Sequence, residues 1–100
     1  MKIENMSLDV LGKVASSFLF KDKVTATDIY KKHQLTYSHV LGIMKALKKR
    51  NFIKGERGTE NRRYVYYYMT EEGKKLFKSL YEAYITIKKS NENIASQKEQ

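Results

Sequence analysis

The chain has 100 residues, enough for one small domain and too few for two. It contains no cysteine, which excludes disulfide bonds and thiolate metal sites, and no stretch approaches the roughly 20 apolar residues that span a bilayer. The net charge is +9, and residues 21–54 carry +7 of it, from nine basic and two acidic residues. Charge concentrated in this way indicates a polyanionic partner, with a solvated basic surface as the alternative.

Three helices are predicted in the first half of the chain. Ser7 is placed to cap the first, over residues 7–20. Thr25 opens a short second helix ending around residues 33–34, and it forms a capping-box spacing with Asp28. Thr36 caps a third helix that runs to about residue 50.

The third predicted helix is amphipathic. Its apolar stripe, spaced for one side of a helix, consists of Val40, Ile43, Met44 and Leu47. The opposite side carries small and basic residues, namely Ser38, Gly42, Lys45 and Lys49. The pattern therefore predicts a helix that buries one side and presents the other to a partner.

Two strands and a long helix follow. Residues 52–56 and 62–69 have strand character, and the sequence "GERGTEN" supplies the turn between them. Thr70 caps a last helix to about residue 89, and residues 90–100 are expected to form a polar, flexible tail. We therefore expect one domain over residues 1–89 with a mostly helical α+β fold.

The second and third helices are joined by about three residues, as in a helix-turn-helix. An α-helix fits the major groove of B-DNA and reads base edges with its N-terminal residues. This predicts six groove residues: Tyr37, Ser38, His39, Gly42, Lys45 and Lys49. Two alternatives stay open, in which Gly42 is a helix-packing point and His39 an ordinary surface histidine.

The hairpin carries arginines on both sides of its tip. Paired strands bring Arg57, Arg62 and Arg63 together, and a polyanion relieves their repulsion. Ion pairs with Glu56 and Glu60 are the alternative. In the tyrosine run over residues 64–68, we expect Tyr67 in the core rather than a platform for stacking single-stranded bases.

The sequence shows no set of residues typical of a catalytic or metal-binding site. His33 and His39 are six residues apart and lack acidic or thiolate partners at metal-ligand spacing. There is no nucleophile–base pair, carboxylate pair or phosphate-binding glycine loop. The sequence thus predicts no catalytic residues, no metal, no cofactor and no enzyme activity.

The sequences "TATDIYKKHQLTYSHVLGIMKALKKRNFIKGE" and "RRYVYYYMTEEGKKLF" resemble the winged-helix transcriptional regulators of the MarR and PadR kind. Asn51 stands where those proteins usually have glycine, and Met69 replaces a leucine in the phrase that leaves the wing. The resemblance covers about residues 20–78. In length the chain is closer to the compact winged-helix proteins of archaea and their viruses.

The resemblance implies a winged helix-turn-helix, with three core helices, a hairpin wing and a long C-terminal helix. It also implies a cytoplasmic regulator such as a repressor, nucleoid-associated or in the host cytoplasm if viral, that binds double-stranded DNA. The third helix would enter the major groove and the wing would contact the neighbouring minor groove. A MarR-style ligand pocket is not implied for so short a chain.

The last helix has more apolar surface than a small domain needs, which predicts a homodimer. The expected dimerisation residues are Leu76, Leu80, Ala83, Tyr84 and Ile87. A two-fold dimer would place its recognition helices about one DNA turn apart. Two other functions stay open: an architectural DNA-binding protein with little sequence preference, and a protein-interaction module whose basic face binds an acidic protein.

Overall fold

The computed structural model describes residues 3–59 and 64–98, with side chains in the last helix described as far as residue 91. A 3-10 turn over Ile3–Asn5 precedes α1 (Leu8–Leu19), α2 (Ala26–His33) and α3 (Tyr37–Lys49). A two-stranded antiparallel hairpin follows, with β1 (Ile53–Arg57) and β2 (Val65–Met69), and then α4 (Glu71–Lys98). The predicted mostly helical α+β architecture is confirmed.

The helix starts are those that the sequence indicates. Ser7, Thr25 and Thr36 each accept a hydrogen bond from a backbone N–H three residues later, and Thr25 and Asp28 complete a capping box. These bonds satisfy N–H groups that have no partner inside the helix. The predicted N-caps at these three residues are therefore confirmed.

The end of α3 depends on a left-handed residue. Asn51 has a φ of 64°, and its N–H donates to the carbonyl of Lys48 at 3.0 Å. The N–H of Phe52 donates to the carbonyl of Leu47, also at 3.0 Å. Together they form a Schellman motif, in which asparagine substitutes for the more common glycine. The motif turns the chain sharply from α3 into β1.

One core holds the elements together. Its centre is the stacked pair Phe18 and Phe77, whose rings lie 5.0 Å apart and join α1 to α4. The α3 stripe is fully buried here, and Tyr67 and Met69 of β2 pack against the same cluster, as predicted for Tyr67. Val24 forms an isolated antiparallel β-bridge to the hairpin through two hydrogen bonds with Tyr67, of 2.9 and 2.7 Å.

The α1–α2 junction contains a histidine. The Nε2 atom of His33 lies 2.9 Å from the Oγ atom of Ser17, which is buried. Burial lowers the pKa of His33, and the charges of Lys32 and Lys13 lower it further. This histidine therefore serves the packing of two helices, away from the exposed side of α3.

The last helix is longer than predicted. It continues to Lys98, past the expected end near residue 89. The prediction ends the helix where the composition becomes polar, but polarity does not stop a helix, and residues 74–98 contain neither glycine nor proline. The division of the chain into a domain to residue 89 and a tail stays a prediction. Among the described residues, no helix is both long enough and apolar enough to cross a membrane.

The start of α4 is locked to the end of α3. The Thr70 hydroxyl donates to the carbonyl of Asn51 at 2.7 Å and accepts the N–H of Gly73 at 3.0 Å. The N–H of Thr70 donates to the carbonyl of Phe52 at 3.1 Å. The backbone at Gly73 comes so near this carbonyl that an added Cβ would collide with the oxygen. Only glycine fits there without a backbone shift.

We expect Gly73→Ala to lower the free energy of unfolding by about 1–3 kcal/mol, because the new methyl group forces α4 and the Phe52 carbonyl apart. This outweighs the gain of up to about 1 kcal/mol that alanine normally brings to a helix. Urea denaturation measures the difference. Lys75→Ala, at an exposed position of α4, is the control. Equal free energies of unfolding for the two variants would contradict the predicted clash with the Phe52 carbonyl.

Candidate nucleic-acid interface

The exposed side of α3 is the candidate site. Val40, Ile43 and Leu47 on its inner side are each 0% exposed, so rotation of the helix about its axis is prevented. The fixed helix presents the predicted groove residues on the other side. Tyr37, Ser38, Lys45 and Lys49 are exposed, whereas His39 and Gly42 are partly exposed.

Capping fixes the start of α3. The Oγ1 atom of Thr36 accepts the N–H of His39 at 3.3 Å, which orders the first turn of the helix. The ring of Tyr37 stands edge-on to that of Tyr30 in α2, with centroids 5.5 Å apart and an interplanar angle of 77°. Tyr37 is 49% exposed, so its ring is held on one side and accessible on the other.

The hairpin lies beside this helix. A narrow cleft separates the start of α2, α3 and β2, and its lining includes Tyr37, Leu41, Val65 and Tyr67. Burial raises the pKa of Tyr67, and the proximity of Tyr37 raises it further. The start of α3 and the hairpin thus line the same cleft.

The wing residues are only partly described. Arg57 pairs in register with Val65, on the hairpin face that also carries Gly55 and Tyr67, and it is exposed. The Gly58 N–H donates to the Tyr64 carbonyl at 3.0 Å, where the described part of the hairpin closes. Arg62 and Arg63 lie outside the described residues, as does Glu60.

Glu56, considered above as a partner for the wing arginines, has an ion pair with a different cation. Its carboxylate lies 3.4 Å from the Nζ atom of Lys23, which joins β1 to the turn after α1. Both side chains are about half exposed, so the pair contributes little to stability.

The predicted dimerisation residues fall into two groups. Leu76 and Leu80 pack against the core of their own chain, and the ring of Tyr84 occupies the place where a Cβ on Gly12 would lie, at the crossing of α1 and α4. Ala83 and Ile87 are exposed, and Ile87 is 50% accessible. The apolar stripe of α4 therefore serves the intramolecular core first and leaves its distal part exposed.

The role of Tyr30 is not evident from the sequence. The helical spacing predicts only an inward-facing position for it, since nothing in the linear pattern pairs it with Tyr37 on the next helix. The pairing arises at the left-handed residue Gln34, φ 57°, which reverses the chain between the two helices. Among the described residues, no group of three or more His, Asp or Glu side chains is arranged to hold a metal ion.

Comparison with known proteins identifies this arrangement. Residues 18–73 match the family described as "Winged helix DNA-binding domain". An uncharacterized HTH-type transcriptional regulator of Bacillus subtilis, YfiV, is 33% identical over 75 residues, which are 74% of this chain and 47% of YfiV. The chain thus spans about half the length of this curated relative.

Solved structures share the fold. A point mutant of Lactococcus lactis ZitR superimposes with a TM-score of 0.75 at 17% identity, over 88% of this chain and 60% of ZitR. The adhesin competence repressor AdcR of Streptococcus pyogenes superimposes with a TM-score of 0.68 at 18% identity, over 95% of this chain and 66% of AdcR. Wild-type MarR from E. coli superimposes with a TM-score of 0.66 at 14% identity, over 72% of this chain and 53% of MarR.

The matched segment contains α2, α3, the hairpin and the Thr70–Gly73 junction, which are the parts that build the surface described above. The predicted winged helix-turn-helix is confirmed. The chain belongs to the winged-helix DNA-binding domain family and has a MarR-like fold.

Proposed function

We propose that this chain is a sequence-specific transcription regulator that binds double-stranded DNA as a homodimer. In this proposal α3 lies in the major groove, and the hairpin wing contacts the adjacent minor groove or its phosphates. The same proposal includes that the chain acts in the cytoplasm as a repressor. The structural neighbour AdcR is named a repressor.

The observation that carries the proposal is the division of α3 into a buried side and a polar side. Its 13 residues extend about 20 Å, and a helix of this kind fits a major groove about 12 Å wide. Residues that can hydrogen-bond to bases, Ser38 and His39, stand in the first turn. The two lysines of the polar side, Lys45 and Lys49, stand further along it, where phosphates are expected.

The wing extends the positive surface. Arg57 stands at the end of β1 and pairs with Val65, which lines the cleft between α3 and the hairpin. By sequence, Arg62 and Arg63 immediately precede the part of the hairpin that returns to the core. Arginine side chains on a protruding ribbon suit a narrow minor groove, whose negative potential attracts them.

The homodimer is supported by the distal half of α4. This helix has 28 residues and extends for about 42 Å, whereas α1 covers only part of it. An apolar groove of about 240 Å³ lies between the start of α1 and the distal part of α4, lined by Leu8, Tyr84 and Ile87 among others. A second copy of α4 would cover this exposed apolar surface.

Selection of bound sequences from a random duplex pool, followed by titration at physiological salt, tests the function. A specific regulator should bind its selected site about a thousandfold more tightly than random DNA. A ratio below about ten would instead indicate an architectural DNA-binding protein, and binding only to an acidic protein would indicate an interaction module.

We expect Ser38→Ala and His39→Ala to change the preferred bases, because their side chains stand where base edges would lie. Each variant should lose about 1–3 kcal/mol of discrimination at one or two positions of the site. Repeating the selection with each variant measures the change. Ser79→Ala, on an exposed position of α4, is the control. Unchanged preferences in both variants would contradict the assignment of base reading to this turn.

We expect Lys45→Ala and Lys49→Ala to weaken binding to all sequences alike, because lysines that neutralise phosphates release counterions. Each should reduce the slope of log K against log salt by about 0.9. Lys89→Ala, which removes a charge from the distal half of α4, should keep the wild-type slope. If the slope of the two α3 variants also stays unchanged, these lysines do not contact phosphates. Removal of Arg62 and Arg63 should likewise weaken binding to all sequences and reduce the slope of log K against log salt.

We expect a dimeric mass, about twice the 11.8 kDa of the chain, by light scattering at tens of micromolar. Ile87→Glu should shift this mass towards the monomer, because it places a charge in the proposed interface without disturbing a buried side chain. Lys89→Glu, on the other side of the same helix turn, is the matched control. A monomeric wild type, or equal masses of the two variants, would contradict this interface.

A further inference from the structure

Tyr37 is held on one side before any DNA arrives. On one side stands Tyr30, with its ring edge-on at 5.5 Å. On the other side lies the cleft that Tyr37 shares with Leu41 of its own helix and with Val65 and Tyr67 of β2. Tyr37 is nevertheless 49% exposed on the candidate surface. A side chain at this position would normally lose rotamer freedom on binding, and these contacts reduce that loss.

Tyr30 is well placed to impose this constraint. It is half-buried and packs against the hydrophobic core, so its own ring is held in place. The carbonyl of Tyr30 also accepts the N–H of Leu35 at 3.1 Å, within the left-handed turn that leads to α3. The residue thus links the core, the turn and the first residue of α3.

We propose that Tyr30 is a positioning residue for DNA reading, which holds the ring of Tyr37 in the orientation that contacts a base. This inference rests on the proposed function and deepens it. Tyr37 makes the contact, for example with the methyl group of a thymine, and Tyr30 acts through it. Edge-to-face aromatic geometry supplies both attraction and a defined angle between the rings.

The test compares Tyr30→Leu with Tyr30→Phe in the full chain, using the selected site and random duplex DNA. Tyr30→Leu should lower the ratio of the two affinities about 2- to 10-fold, the range expected for loss of one edge-to-face pair. Tyr30→Phe keeps the ring and should retain the wild-type ratio. Thermal unfolding of each variant shows whether it is folded at the binding temperature.

The chain contains a matched control for the aromatic pair. Phe20 and Tyr81 join α1 to α4 with almost the same geometry, at 5.6 Å and 83°. Phe20→Leu removes that pair at an exposed site outside the proposed interface. It should leave the affinity ratio unchanged. The effect of Tyr30→Leu would then come from the location of the Tyr30 pair and not from the loss of an aromatic contact as such.

A double-mutant cycle distinguishes positioning from simple stabilisation. In the Tyr37→Ala background, Tyr30→Leu should have no further effect on the affinity ratio, because the residue through which it acts is absent. Additive effects in the cycle would overturn the inference. So would an equal loss for selected and random DNA, which would show that Tyr37 is not reading a base.

The wild-type ratio separates the two proposals. If it is high and Tyr30→Leu keeps it, only the role of Tyr30 is overturned. If the wild-type ratio is itself below about ten, the sequence-specific function fails, and the positioning role fails with it.

Discussion

The contact between the start of α4 and the end of α3 is the constraint on which the remaining structure depends. Thr70 bonds to Asn51 and Phe52, and the absence of a side chain at Gly73 lets the two backbones meet. Because the hairpin begins at one of these points and ends at the other, the junction closes its base. The wing therefore leaves the domain beside α3.

The two sides of α3 depend on each other. The buried stripe stabilises the domain through apolar burial, and the same packing prevents rotation of the helix. Base reading needs that rigidity, since a hydrogen-bond donor displaced by a small distance loses its geometry. Structural side chains on one face thus determine how accurately the opposite face is presented.

The helix α4 has a double role along its length. Near its start Phe77 stacks on Phe18, and further along Tyr84 packs closely over Gly12. Beyond this crossing the helix continues with Ile87 half exposed. The length that the single domain does not cover is what supports the proposed pairing with a second chain, and it would link subunit contact to the spacing of two recognition helices.

Features that depend on neighbours three to five residues away can be predicted from the sequence. These are the four N-caps, the capping box at Thr25 and the buried stripe of α3, because each is a local hydrogen bond or a helical periodicity. The sequence also indicated the polar residues of α3. The contacts between distant segments cannot be predicted in this way: the Tyr30–Tyr37 ring pair, the Val24–Tyr67 bridge and the packing of Tyr84 on Gly12. These depend on how helices cross and where turns redirect the chain, which no short window of sequence contains. The true end of α4 was missed for a related reason, since polar composition marks where burial stops and not where a helix stops.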